Sequence, residues 1–174
     1  MALSKTSGAY AAITEAKLPL TEGVVVSIDP SIGSSSSMPG YAVYVKGRLS
    51  TSGTFDMDIN ASMPLRSQQL AYYMRKLYNL YDPDVLVYEE IPLTGVGRHI
   101  ASHISLLKAV GIILSVSGPD YYIGMYPRSW KALARPGYVK SDVNDAIEIG
   151  YVAITQAEEI ISQEGMKEKK RYGK

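Results

Sequence analysis

Cysteine is absent from the 174-residue sequence. Its absence excludes disulfide bonds, thiol catalysis and cysteine metal ligands together, and it favours an intracellular protein. No apolar run approaches the roughly 18 residues of a membrane span, and the N-terminus lacks a basic segment followed by an apolar core. We therefore expect a soluble, unexported protein with no membrane partner.

The composition is that of one globular domain. Hydrophobic residues make up 46% of the chain and charged residues 20%, both near globular averages. At this length a single core is expected. Residues 1–22 show no strong period and are interpreted as an N-terminal arm or irregular lead-in. The domain is placed at 23–162, and a polar, basic tail at 163–174 is expected to fray.

The net charge of +1 hides a segregated pattern. Between Tyr121 and Ser141 every charged side chain is a cation. From residue 142 to 166 every one is an acid. An acidic site beside a basic rim suits a phosphate polymer bound through metal, although two solvated faces of ordinary elements would give the same pattern. The four cations are Arg128, Lys131, Arg135 and Lys140.

Short apolar runs predict a sheet. VVVSID and VLVYE are typical of buried strands, and 41–45 and 48–59 extend the first of them into an antiparallel meander. Amphipathic spacing predicts helices at 65–81, 98–116 and 142–161, with a last strand at 121–126. Helical crossovers require parallel pairing. The expected fold is therefore α/β, a mixed five-stranded sheet with three antiparallel meander strands and two parallel strands, flanked by helices.

Acidic residues stand at the ends of two strands and the start of the last helix. Asp29 and Glu89 end strands expected to be neighbours, while Asp142 and Asp145 project to the same side of a helix. Such carboxylates can hold a pair of Mg²⁺ or Mn²⁺ ions, which is the chemistry of phosphodiester hydrolysis. Alternatively, Asp142 and Asp145 are explained by helix capping or by a favourable interaction with the helix dipole, and Asp29 marks a strand-to-turn transition.

Three segments resemble the RuvC-type Holliday junction resolvases of the RNase H-like superfamily, especially their shorter phage-type members. SIDPSIGSSSSMPGYAVY is similar to the family's opening strands, LVYEEIP to its acid-ending fourth strand, and DVNDAIEIG to its closing D-x-x-D-A helix. The resemblance covers roughly residues 23–160. The interval between Lys131 and Asp142 is shorter than in cellular RuvC proteins by about one helix.

This resemblance implies an RNase H-like fold and a Mg²⁺-dependent endodeoxyribonuclease of DNA recombination and repair. A homodimer would bind four-way branched DNA and resolve it by paired symmetric nicks, using two Mg²⁺ ions per active site, with Mn²⁺ as a substitute and no organic cofactor. The implied location is the cytoplasm or nucleoid of a bacterial host, with a phage as one source of the gene.

The resemblance also implies residue roles. The metal ligands would be Asp29, Glu89, Asp142 and Asp145, which with Lys131 form the catalytic set. The DNA contacts would be Arg98, His99, Arg128, Lys131, Arg135 and Lys140. Two alternatives stay open: an RNase H-like nuclease acting on other branched DNA or on RNA:DNA hybrids, and a junction-binding module without catalytic activity.

Overall fold

A five-stranded sheet organises the chain. The computed structural model describes residues 3–4, 7–32, 38–91, 100–116 and 118–172, without the side chains of 100–103 and 172. In chain order, the elements of this part are α1 (Gly8–Glu15), α2 (Lys17–Glu22), β1 (Val24–Asp29), β2 (Gly40–Val45), β3 (Arg48–Thr54), α3 (Met63–Tyr81), β4 (Val85–Glu89), α4 (Ile100–Ser115), β5 (Tyr121–Met125), α5 (Pro127–Lys131) and α6 (Asp142–Tyr172).

The strand order is β3-β2-β1-β4-β5. Pairing is antiparallel from β1 to β2 and from β2 to β3, and parallel from β1 to β4 and from β4 to β5. The predicted fold class is confirmed in both strand number and pairing. Because Ile28 pairs with Tyr88, the next residues, Asp29 and Glu89, end adjacent parallel strands at the same edge of the sheet.

Helices cover both faces of the sheet, because successive strand residues point to opposite sides. Val25 and Val87 pack with the buried side of α6 on one face. Val26 and Leu86 pack with α3 and α4 on the other. Ile28 belongs to the α3–α4 face, so Asp29 must lie on the α6 face.

Most of the segment predicted as an N-terminal arm or irregular lead-in, residues 1–22, is helical, because it contains α1 and α2. Ser7 caps α1 by accepting a hydrogen bond from the Tyr10 N–H group. Ile13 and Leu20 are completely buried in the core beneath α6. These helices have eight and six residues, and helices this short are stabilised mainly by tertiary packing. A sequence period is therefore a weak signal for them.

The fraying tail predicted from residue 163 is also replaced by helix, since α6 continues to Tyr172. Lys17 on α2 forms an ion pair with Glu164, with an Nζ–Oε2 distance of 2.6 Å. The last turn contains three basic residues, which interact favourably with the negative end of the helix dipole. Two further differences are the end of β3 at Thr54 rather than residue 59, and the short helix α5, which the sequence did not predict.

Among the described residues, no helix has the length and apolar character needed to cross a membrane.

Candidate active site

The start of α6 is docked on the end of β1, and this contact brings the acids together. Gly40 pairs with Asp29 across the β1–β2 ladder. A Cβ atom on Gly40 would overlap the carbonyl oxygen of Asp142, so residue 40 must lack a side chain for the helix to come this close. The Ser27 hydroxyl donates to the Ala146 carbonyl at 2.7 Å, which ties the first turns of α6 to the strand.

Asp29 is the electrostatic centre of the site. It is 5% exposed, and burial raises the pKa of its carboxyl group to about 8. Burial is the largest cause of this rise, the carboxylates of Glu89, Asp145 and Asp142 contribute to it, and Lys131 opposes it. The structure therefore brings the other three predicted acids close enough to Asp29 to oppose its ionisation.

No hydrogen bond or ion pair to the Asp29 carboxyl group is found within the described ranges. A buried carboxylate without such partners is costly in its charged form. A cation bound at the site would remove this cost.

Glu89 is held by the buried indole of Trp130. The Trp130 Nε1–H group donates to Glu89 Oε2 at 3.0 Å. Burial raises the pKa of Glu89, and Lys131 and the indole hydrogen bond oppose that rise. The neighbouring Glu90 turns away, and its Oε2 accepts a hydrogen bond from the Tyr88 hydroxyl at 3.1 Å. Only the first of the two glutamates therefore faces the other acids, as strand alternation predicts.

Asp145 is held on both carboxylate oxygens and is 4% exposed. The Tyr138 hydroxyl donates to its Oδ1, and Lys131 Nζ lies 3.8 Å from its Oδ2. Burial, followed by the bond to Asp145, raises the pKa of Tyr138 above its ordinary value, so the phenol keeps its proton at neutral pH. Tyr138 is therefore a hydrogen-bond donor to this carboxylate.

Asp142 is the first residue of α6 and is half-buried. Its Oδ2 accepts a hydrogen bond from the Met38 N–H group at 3.1 Å. This contact connects the first turn of α6 to the chain that leads into β2. The carboxylate also stands at the positive end of the helix dipole.

The cations predicted to contact DNA take different positions. Lys131 and Lys140 are exposed, and both lower the pKa of Glu89, which places them around the acids. Arg128 is exposed on α5. Arg135 instead forms an ion pair with buried Glu148, with an Nη2–Oε1 distance of 2.6 Å. The remaining two predicted DNA contacts, Arg98 and His99, lie outside the described residues.

The donor set has the chemistry of a hard divalent cation site, because it consists of carboxylates alone. As the side chains stand, no group of three or more His, Cys, Asp or Glu residues in the described part of the chain is arranged to hold a metal ion. Three of the four acids each accept a hydrogen bond on one carboxylate oxygen, from Trp130, Tyr138 and the Met38 N–H group. The acids therefore fit a metal by chemistry and proximity.

The sequence did not single out Trp130 and Tyr138 as site residues. Trp130 is the only tryptophan of the chain, which is a weak sequence signal for a structural role. In the structure its side chain is completely buried. Their hydrogen bonds to two of the acids depend on the path of the chain between α5 and α6. Composition and spacing do not reveal that path.

The sequence and the structure were compared with those of known proteins. No protein-family model matches the sequence, and no curated protein matches it. Among solved structures, RuvC of Thermus thermophilus in complex with a Holliday junction substrate is similar with a TM-score of 0.60 and 16% identity, over 74% of this chain and 90% of that one. A second structure of Thermus thermophilus RuvC gives a TM-score of 0.56 and 16% identity, over 74% and 92%.

The yeast mitochondrial Holliday junction resolvase gives a TM-score of 0.47 and 13% identity, over 86% of this chain and 92% of that one. The two Thermus structures, together with the strand order, show that the chain has an RNase H-like fold. Within that class, the fold is of the RuvC type, as the sequence predicted.

Proposed function

We propose that the protein is a metal-dependent, structure-selective DNA endonuclease that resolves four-way (Holliday) junctions by paired symmetric nicks. The observation that carries this proposal is the cluster that Asp29 forms with three other carboxylates, at one sheet edge of a RuvC-type fold. A buried carboxylate opposed by three others gives no structural advantage. It suits a site that receives divalent cations and a phosphodiester.

Two Mg²⁺ ions, or Mn²⁺ in their place, would be held by Asp29, Glu89, Asp142 and Asp145. When bound, the ions neutralise the scissile phosphate and activate water for its hydrolysis. Asp29 is the proposed shared ligand, since it interacts electrostatically with the other three acids. The protein's own acids thus set the position at which the phosphate enters.

Lys131 is proposed to act on the DNA directly. Its Nζ lies 3.8 Å from Asp145 Oδ2, and its charge lowers the pKa values of Asp29 and Glu89. A cation at this place stabilises the charge that develops on a phosphate during cleavage. Lys140 and Arg128 are exposed and are proposed to bind the flanking phosphates, where each contact would add salt-dependent affinity.

The exposed face of α4 supports the proposed homodimer. Ile104, Leu107 and Leu114 are each 40–47% exposed and share one side of the helix, whereas Ala109 and Ile113 are buried on the other. An apolar stripe of this kind is typical of an interface. Because a four-way junction has two-fold symmetry, a two-fold dimer would present one active site to each of two opposed strands.

A cleavage assay tests the proposal. A four-way junction labelled on each strand in turn is incubated with Mg²⁺, and the positions of the nicks are mapped. We expect symmetric nicks in two opposed strands, no cleavage in EDTA, and no cleavage by Asp29→Asn even though this variant still binds the junction. Equal cleavage of a linear duplex would contradict junction selectivity.

The same assay separates the two alternatives. Flaps, forks and RNA:DNA hybrids are included at equal concentration, and faster cleavage of any of them would favour another RNase H-like nuclease activity. Junction binding without cleavage in either Mg²⁺ or Mn²⁺ would instead indicate a binding module.

A further inference from the structure

We propose that Trp130 and Tyr138 form a positioning pair that orients Glu89 and Asp145 for divalent cations. This inference rests on the proposed function, because it assumes that those two acids are metal ligands. It assigns to the α5–α6 connection a role that neither the sequence motifs nor the four acids themselves suggest.

The two aromatic side chains contact each other as well as the acids. Their ring centroids are 5.8 Å apart with an interplanar angle of 85°, an edge-to-face contact. One ring donates to Glu89, at the end of β4, and the other to Asp145, on α6. A single aromatic unit therefore connects two acids that belong to different elements, and displacement of either ring would affect both.

Lys131 lies over the same unit. Its Nζ is 4.9 Å from the centroid of the Trp130 ring, and it also reaches Asp145. The cation is thereby directed toward the acids by the indole on which it rests. The proposed phosphate-binding lysine and the two held acids depend on one buried tryptophan.

The conformation of the α5–α6 connection positions Tyr138 beside Asp145. Gly137 has φ of +87°, a left-handed conformation that favours glycine, and the Tyr138 N–H group donates to the Arg135 carbonyl at 3.1 Å. Arg135 is anchored in turn on α6, where Glu148 accepts from its Nε at 2.8 Å and from its backbone N–H at 3.1 Å. The turn is held on α6 independently of the acids, which is what a positioning device requires.

Hydrogen bonds to metal ligands fix their orientation, and removing one typically lowers metal affinity about 10- to 100-fold. The test is calorimetric titration of Mn²⁺ into full-length, metal-free protein. Tyr138→Phe removes only the hydroxyl that reaches Asp145. Tyr73→Phe is the matched control, because its hydroxyl also donates one hydrogen bond, to the Asp56 carbonyl at 2.6 Å, on the opposite face of the sheet.

We expect Tyr138→Phe to weaken Mn²⁺ binding about 10-fold or more while Tyr73→Phe binds as the wild type does. The fluorescence of Trp130, the only tryptophan, should change when Mg²⁺ is added to the wild type, and this change should be reduced in Tyr138→Phe. Circular dichroism in EDTA verifies that each variant is folded. A combined Trp130→Phe/Tyr138→Phe variant should lose less affinity than the two single losses predict, because the rings act as one unit.

The Mn²⁺ titrations distinguish failure of the positioning pair from failure of the proposed metal site. Wild-type Mn²⁺ affinity in folded Tyr138→Phe, together with lost binding in Asp29→Asn, would overturn the positioning pair and leave the proposed function intact. Absence of Mn²⁺ binding by the wild type, with no difference in Asp29→Asn, would refute the proposed metal site itself.

Discussion

Gly40 lies so close to Asp142 that any side chain on residue 40 would overlap the backbone of the first turn of α6. We expect Gly40→Ala to displace this helix from the end of β1. Overpacking of this kind lowers the free energy of unfolding by about 1–3 kcal/mol. Because Asp142 and Asp145 would move with the helix, Mg²⁺-dependent junction cleavage should also fall. Urea denaturation and the cleavage assay measure the two effects.

Gly165→Ala is the matched control, since apart from the adjacent backbone of α6 no atom lies within 4 Å of the Cβ position on that glycine. It should stabilise the helix by up to about 1 kcal/mol and leave cleavage unchanged. If Gly40→Ala kept wild-type stability, the close docking of α6 on β2 would be contradicted.

The raised pKa of Asp29 predicts an unusual dependence of stability on pH. In the metal-free protein its pKa rises from 3.8 to about 8 on folding, so between these values the folded state binds more protons than the unfolded state. The contribution of Asp29 to the free energy of unfolding is therefore fully present below pH 3.8. It is lost as pH rises through about 8. Asp29→Asn should raise the free energy of unfolding by roughly 2–5 kcal/mol at pH 9 and by much less at pH 4.

Denaturation in EDTA across this pH range is the appropriate measurement. Exposed Asp120→Asn serves as the control and should leave the pH profile unchanged. A profile for Asp29→Asn parallel to that of the wild type would be incompatible with a buried, destabilised carboxylate at this position.

Metal affinity should depend on pH for the same reason. A carboxyl group must lose its proton before it can bind a cation, and below pH 8 Asp29 is mainly protonated. We expect Mn²⁺ affinity to rise by up to about 10-fold per pH unit between pH 6 and 8 and then level off. Calorimetry in two buffers of different ionisation enthalpy would detect the released proton. A flat profile would exclude Asp29 as a ligand.

The exposed stripe of α4 predicts a dimer that one charge can break. Leu107 is 47% exposed in the middle of the stripe, and Leu107→Glu should place like charges opposite each other in a two-fold interface. Sedimentation equilibrium should show a dimer for the wild type and a monomer for the variant. Leu18→Glu, on α2 at 60% exposure, is the control and should remain dimeric. A wild-type monomer at micromolar concentration would contradict the proposal.

The sheet was predictable from the sequence because its buried strands, such as β1 and β4, are short β-branched runs with turn residues at their ends. Their parallel pairing was expected because a helical crossover, α3, leads from the meander into β4. The proximity of Asp29 and Glu89 followed from that pairing, and the structure brings Asp142 and Asp145 to the same place. The roles of these acids as metal ligands remain predictions.

Other features depend on tertiary contacts that no local pattern encodes. The helices α1 and α2 exist because Ile13 and Leu20 pack beneath α6, and their own periodicity is weak. Tyr138 reaches Asp145 only because Gly137 turns the chain and Arg135 fastens it to α6. The extension of α6 beyond residue 161 is likewise supported by Lys17, from the other end of the chain.

The order of the elements along the chain has a consequence during synthesis, because α6 follows all five strands and leaves the ribosome after them. This helix supplies half of the acids and covers Val25 and Val87. A nascent chain that lacks α6 exposes one apolar face of its sheet and also lacks Asp142 and Asp145. Assembly of the four acids and burial of this face would therefore arise in the same step, when α6 docks on the sheet.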